Sequence, residues 1–184
     1  MNLALDFQKF VECLKEAAAK MEEHYFRLPV AGAQKPMIRE RVYCYELYHQ
    51  LRLALPDDFP YKLHGEVDKI SHPNLERSLG SARKPDFIVH VPGTGYNLVV
   101  IEVKPVVPNN IAGIREDLKI LQRFLEVANY YRAIMLLYGD GRNALRERVV
   151  SELNRLCGES TGRMLLVWHK SPEERPEVVQ TGAR

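Results

Sequence analysis

Three charged residues stand out in the stretch KPDFIVHVPGTGYNLVVIEVKP, Lys84–Pro105, because their neighbours are apolar. Asp86 opens one apolar run, and Glu102 and Lys104 close a second. From Asn97 to Lys104, Leu98 and Val100 fall on one side and Val99, Ile101 and Val103 on the other, the pattern of a strand buried on both faces. Glu102 and Lys104 continue the row of Leu98 and Val100, since residues two apart share a face. A lone buried charge is costly, so both need partners, water or a metal. Two carboxylates with an ammonium beside them can hold a divalent cation and face a phosphate oxygen.

The turn decides whether Asp86 belongs to that group. With Gly93-Thr94-Gly95 as a three-residue hairpin loop, Val91 faces Asn97, His90 faces Leu98, Ile88 faces Val100 and Asp86 faces Glu102. Directly opposed side chains have Cβ atoms about 4.5–5.5 Å apart. Carboxylates that close repel unless a cation lies between them. Lys104 stands roughly 6.6–6.8 Å further along the same face. A one-residue slip would send Asp86 to the other face.

Pro85-Asp86, a fifteen-residue gap and then Glu102-Val103-Lys104 resembles the P-D…(D/E)-x-K signature of the restriction-endonuclease-like nucleases. The resemblance covers roughly Met37 to Lys170, on five defined residues. It implies an α/β fold, a mixed β-sheet flanked by helices, here with an extra N-terminal helix. It implies a Mg²⁺- or Mn²⁺-dependent nuclease hydrolysing phosphodiesters, in DNA before RNA. Asp86 and Glu102 are its expected metal ligands, with the Val103 carbonyl as a further oxygen, and Lys104 orients the attacking water or stabilises transition-state charge. The family often completes the metal site with a glutamate on the preceding helix; Glu40 is the choice for that role and Glu46 the reserve. It also places a basic residue or Gln on the helix after the E-x-K strand, for which Lys119 and Gln122 are candidates. The implied partner is nucleic acid, with a homodimer as an option.

Those side chains need elements to hold them. Phe7, Phe10, Val11, Leu14, Ala18, Met21 and Tyr25 predict a packing helix over about Leu5 to Arg27. Pro36 suits the first turn of a second helix reaching Leu55, before Pro56. Its seam of Cys44, Leu47, Leu51 and Leu55 extends back to Glu40. A first-turn glutamate is also explained by the helix macrodipole, so both readings of Glu40 stay open. Tyr61–Ile70 reads as a first strand and Ser71–Arg83 as an irregular connection. Arg83 and Lys84 precede Asp86 directly, where they can meet a phosphate backbone or serve solubility.

Asn109 or Asn110 can cap a helix from Ile111 to Asn129, with Ile114, Leu118, Leu121, Phe124, Leu125 and Ala128 inward and Asp117, Lys119 and Arg123 beside that stripe. Arg132–Tyr138 is a buried strand, Asn143–Cys157 a helix and Met164–Trp168 a last strand. The order α, α, β, β, β, α, β, α, β gives a mixed sheet covered by helices. The expectation is one domain over residues 1–170, a helix and loop at 1–35 and a core at 36–170, followed by a mobile tail at 171–184.

Composition excludes several classes. The 184 residues carry a net charge of +2, so nucleic-acid binding must rest on local clusters, and 46% hydrophobic content argues against disorder. Cys13, Cys44 and Cys157 are too few and too far apart for a disulfide framework or a zinc site. No HExxH, P-loop or GxSxG motif is present. With no apolar run of membrane length and no signal-peptide pattern, the expectation is a soluble cytoplasmic protein without a membrane partner. Two other classes compete with the enzyme: a non-catalytic nucleic-acid-binding or complex-assembly subunit of the same fold, and a structural domain in which Glu102 and Lys104 pair as ions.

Overall fold

The computed structural model describes residues 1–66, 84–107, 110–140, 143–157 and 162–179, the side chains of 143–146 and 156–157 excepted. Among the described residues, five helices, α1 Leu3–Ala18, α2 Glu23–Phe26, α3 Glu40–Ala54, α4 Ile111–Val127 and α5 Asn143–Cys157, flank six strands. These are β1 Lys62–Gly65, β2 Phe87–His90, β3 Asn97–Pro105, β4 Arg132–Tyr138, β5 Met164–His169 and β6 Glu177–Val179. The strands lie in chain order in one sheet. The β3–β4 and β4–β5 pairs are parallel and the other three antiparallel.

Strand β3 is the centre, and from Val99 onward its apolar residues divide by parity; Leu98, expected on the side of Val100, packs with Val99 instead because the strand bulges there. Val99, Ile101 and Val103 face a core built with α1 and α3. Val100 faces a second core with Ile88, Met135 and Leu137 under α4 and α5. A bidentate pair from Arg115 to Glu152 (3.0 and 2.7 Å) ties α4 to α5. Among the described residues, no helix is long and apolar enough to cross a membrane.

Helix α1 starts on Asn2, whose side chain accepts from the Leu5 amide at 3.2 Å. It stops at Ala18 and not at Arg27. Its last turn tightens through Lys20 N to Ala17 O and Met21 N to Ala18 O, and the Met21 carbonyl accepts from Glu173 instead of continuing the helix. Met21 and Phe26 are still buried, so the apolar period outlasts the helix that suggested it.

Helix α3 begins four residues after Pro36. Leu28 and Met37 exchange two backbone bonds of 2.9 Å each, and a residue held in that bridge cannot sit in a first helical turn. Glu40 is therefore the first helical residue. Strand β1 is shorter than Tyr61–Ile70: it ends at Gly65, and Glu66 follows at φ 47°. Residues 67–83, including Arg83, lie outside the described ones.

The tail is not uniformly mobile. Leu166 pairs with Val179 and Trp168 with Glu177 as β6 closes the sheet edge. Val179 is buried, and Lys170 pairs with Glu177. A chain ending at Pro176 should lose at least the about 1.5–3 kcal/mol of one buried aliphatic side chain. Chemical denaturation reads this; an unchanged midpoint would mean that β6 contributes nothing to the fold.

Candidate active site

The register that sets Asp86 beside Glu102 arises from two departures that cancel. Val91 N bonds Tyr96 O at 2.9 Å, so the loop is the four residues 92–95 and not three. Thr94 tightens it, its hydroxyl donating to Val91 O at 2.7 Å, and Gly93 takes the positive φ of 74°. His90 then pairs with Asn97 and not with Leu98, but Val89 pairs with Val99. Leu98 is thus an extra residue on β3, a bulge that restores the expected pairing from Ile88–Val100 onward. Without it, Asp86 would lie opposite Ile101.

Asp86 sits just before β2. Its Oδ2 accepts from the Val103 amide at 2.7 Å, and its charge adds to the raised proton affinity of Glu102. Glu102 is 6% exposed. Burial is the main cause that raises the Asp86 carboxyl to about 6; the Val103 amide works against it, and Glu40 adds to it. Burial, then the charges of Asp86 and Asp117, push Glu102 well above the usual carboxylate range. The pair therefore retains a proton into the range where isolated carboxylates are ionised.

Lys104 lies on the same side of β3 as Glu102, opposite Leu137 of β4. Its Nζ stands 3.1 Å from Glu40 Oε2 and 3.1 Å from Asp117 Oδ2. Burial alone would lower its proton affinity, but the Asp117 and Glu40 charges raise it above that of a free lysine. It is a fixed, permanent cation. The ion-paired structural reading assigned Glu102 to this lysine; these two carboxylates hold it instead. Glu40 comes from α3 on one side of the sheet and Asp117 from α4 on the other. They meet where β3 ends and β2 begins, at the rim of the sheet.

The sequence reading thus placed Asp86, Glu102, Lys104 and Glu40 together, and the four do cluster. Glu46 is elsewhere, accepting from Gln50 at 2.6 Å. Lys119 is exposed and pairs with Glu116 at 2.8 Å, and Gln122 bonds Glu126 at 2.8 Å. Both stand on the outer side of α4. Lys84 is exposed, two residues from Asp86. The residue missed was Asp117, 7% exposed. Its signal was available: Ile114, Asp117, Leu118 and Leu121 form an i, i+3, i+4, i+7 stripe, so the carboxylate interrupts an apolar seam as Glu40 extends one.

No protein-family model, curated protein or solved structure matches the chain.

The donor set suits a hard divalent cation. Glu40 and Asp117 hold the ammonium, and beside it the Asp86 charge raises the proton affinity of Glu102, a repulsion that a cation would relieve. Mg²⁺ keeps most of its water and uses one or two protein carboxylates, and the Asp86–Glu102 pair provides two. Among the described residues, no three His, Cys, Asp or Glu side chains form a ready cage; the carboxylate of Glu40 is engaged by Lys104. Cys44, one turn beyond Glu40, is held as a thiol by burial and then by the Asp86, Glu40 and Glu102 charges. Thiolate nucleophilic chemistry is therefore disfavoured. A cleft of about 520 Å³ leads from Glu40 and Asp86 along α3 and β1 to Tyr45, Tyr48 and His64.

Proposed function

We propose that this chain is a divalent-metal-dependent nuclease of restriction-endonuclease-like fold that hydrolyses phosphodiester bonds, in DNA. One observation carries the reading. A carboxyl pair and a lysine from one hairpin, the lysine clamped from α3 and α4, converge at the rim of the sheet beside a cleft.

Asp86 and Glu102, with the Val103 carbonyl, would hold Mg²⁺ or Mn²⁺, which supplies Lewis-acid polarisation of the phosphate and an acidified water. The Val103 amide fixes the Asp86 carboxylate and so sets the pair's orientation. Lys104 presents a full positive charge towards the oxygens that gain negative charge in the transition state. Because its proton is held tightly, it acts through charge and hydrogen-bond donation and not as a base. Glu40 and Asp117 position that ammonium from opposite layers. Keeping it aimed before substrate arrives avoids a reorganisation cost during the reaction.

The direct test is cleavage of end-labelled single-stranded, duplex and branched DNA and RNA with Mg²⁺ or Mn²⁺, against EDTA and an Asp86→Ala control. Metal-dependent cleavage absent from the control is the expected result. Retained binding with no cleavage of any substrate would select the non-catalytic binding subunit.

Glu40→Gln separates a positioning role from a purely helical one. Gln keeps the shape but loses the charge that holds Lys104, so activity should fall about 10–100-fold, as for other residues that orient a reacting group. The lost dipole interaction should cost only about 0.3–1 kcal/mol. Glu46→Gln should leave activity unchanged. Full activity in Glu40→Gln would reduce Glu40 to a first-turn helix residue.

A further inference from the structure

We propose, resting on the nuclease reading, that the cleft between α3 and β1 takes one unpaired nucleotide. The preferred substrate is then single-stranded DNA or a duplex with an unpaired end. Arg41, Tyr45 and Tyr48 recur at i, i+4 and i+7, so they share a face of α3. The adjoining stripe, Tyr43, Cys44, Leu47 and Leu51, is buried in the core, and Tyr48 packs against that core. The exposed Tyr45 is therefore not needed to hold the helix down.

Each supplies a contact that a nucleotide can use. The Tyr48 ring stacks on Phe87, with centroids 6.3 Å apart and planes at 24°, and its hydroxyl donates to Leu63 O at 3.4 Å. That ring is a fixed part of the wall. Tyr45 is 62% exposed and lines the same cleft, a free aromatic face of the kind on which bases stack. Arg41 Nε reaches Glu66 Oε1 at 3.2 Å, with both side chains largely solvent-exposed. Such pairs are weak, so a phosphate oxygen can replace Glu66 on the guanidinium.

Position and size choose the occupant. The cleft begins at Glu40 and Asp86, so a base within it belongs to a nucleotide adjoining the scissile phosphate. Its volume of about 520 Å³ falls within the roughly 300–1,000 Å³ of small-ligand sites. A single nucleotide fits that space; a base still paired in a duplex would bring its partner strand with it.

The test is fluorescence anisotropy with a labelled DNA single strand and a blunt hairpin duplex, in Ca²⁺ so that binding is read apart from cleavage. Wild type should prefer the single strand. Tyr45→Ala should weaken that binding about 5- to 150-fold, the range for one base–aromatic stack, and Tyr45→Phe should stay close to wild type. Thermal melting confirms that both variants fold, as expected for so exposed a side chain. Wild-type binding by Tyr45→Ala, equal loss in Tyr45→Phe, or equal affinity for the blunt duplex would each overturn the assignment. Tyr45-dependent binding with no cleavage keeps the cleft and removes the nuclease; cleavage indifferent to Tyr45 does the reverse.

Discussion

Replacing Lys104 with methionine should reduce metal-dependent cleavage about 10²–10³-fold, the usual cost of removing one aimed donor from a charge-stabilising site. The expectation follows from what the ammonium faces. It is held 3.1 Å from two carboxylates of opposite layers, so it is aimed and ionised before any substrate binds. Metal affinity should be kept or strengthened, because removing a positive charge beside the Asp86–Glu102 pair favours another cation. Asp86→Ala should instead lose binding and cleavage together. Lys104→Met also leaves Glu40 and Asp117 unpaired, and breaking a buried pair can cost about 3–5 kcal/mol; partial exposure of Glu40 reduces that figure. Cleavage must therefore be compared under conditions where melting shows both proteins folded, with metal binding read by calorimetry. Comparable cleavage by the two proteins would remove Lys104 from the chemistry.

The pattern of the chain made much of this site legible, for a physical reason: side-chain direction alternates strictly along a strand. Once β3 was read as buried on both faces, Glu102 and Lys104 had to share a side, whatever the turn did. The pairing of Asp86 with Glu102 needed more. A four-residue loop and the Leu98 bulge each shift the register by one, in opposite senses, and neither is written in composition. Glu40 was found because it extends an apolar seam, and the same argument applied to α4 finds Asp117. Choosing Lys119 and Gln122 by family analogy overlooked it, although 100° per residue turns both away from the seam. The limits of α1 and of the tail were not legible. Both depend on tertiary pairing: Met21 gives its carbonyl to Glu173, and three residues of β6 are too few to show a period.

In EDTA, the carboxyl pair's contribution to stability should fall as pH rises through about 6, and Mg²⁺ should suppress that loss. The sign follows from the carboxyl pair. Asp86 rises from the ordinary 3.8 to about 6 on folding, with burial the main cause, and Glu102 moves in the same direction. A carboxyl whose folded value is raised binds more protons folded than unfolded. Its contribution to stability therefore falls as pH climbs from the unfolded value through the folded one. For Asp86 the change is on the order of 3 kcal/mol, from about two pKa units at 1.36 kcal/mol each. His169 opposes it. Burial lowers this histidine from 6.5 to about 4, so its contribution grows with pH across that interval, by a similar amount. The two nearly offset between pH 4 and 6.5. Above 6.5 His169 is neutral in both states and no longer masks the carboxyl pair. Glu102→Gln should therefore lessen the fall in the EDTA profile, while His169→Gln should uncover that fall between pH 4 and 6.5. A cation held by the pair replaces the proton and stabilises in proportion to the logarithm of its concentration over Kd, so the Mg²⁺ effect should grow with pH and vanish in Glu102→Gln. Melting curves of the three proteins from pH 5 to 8, with EDTA and with Mg²⁺, measure it. A Mg²⁺ stabilisation independent of pH, or unchanged in Glu102→Gln, would place the cation somewhere other than on this pair.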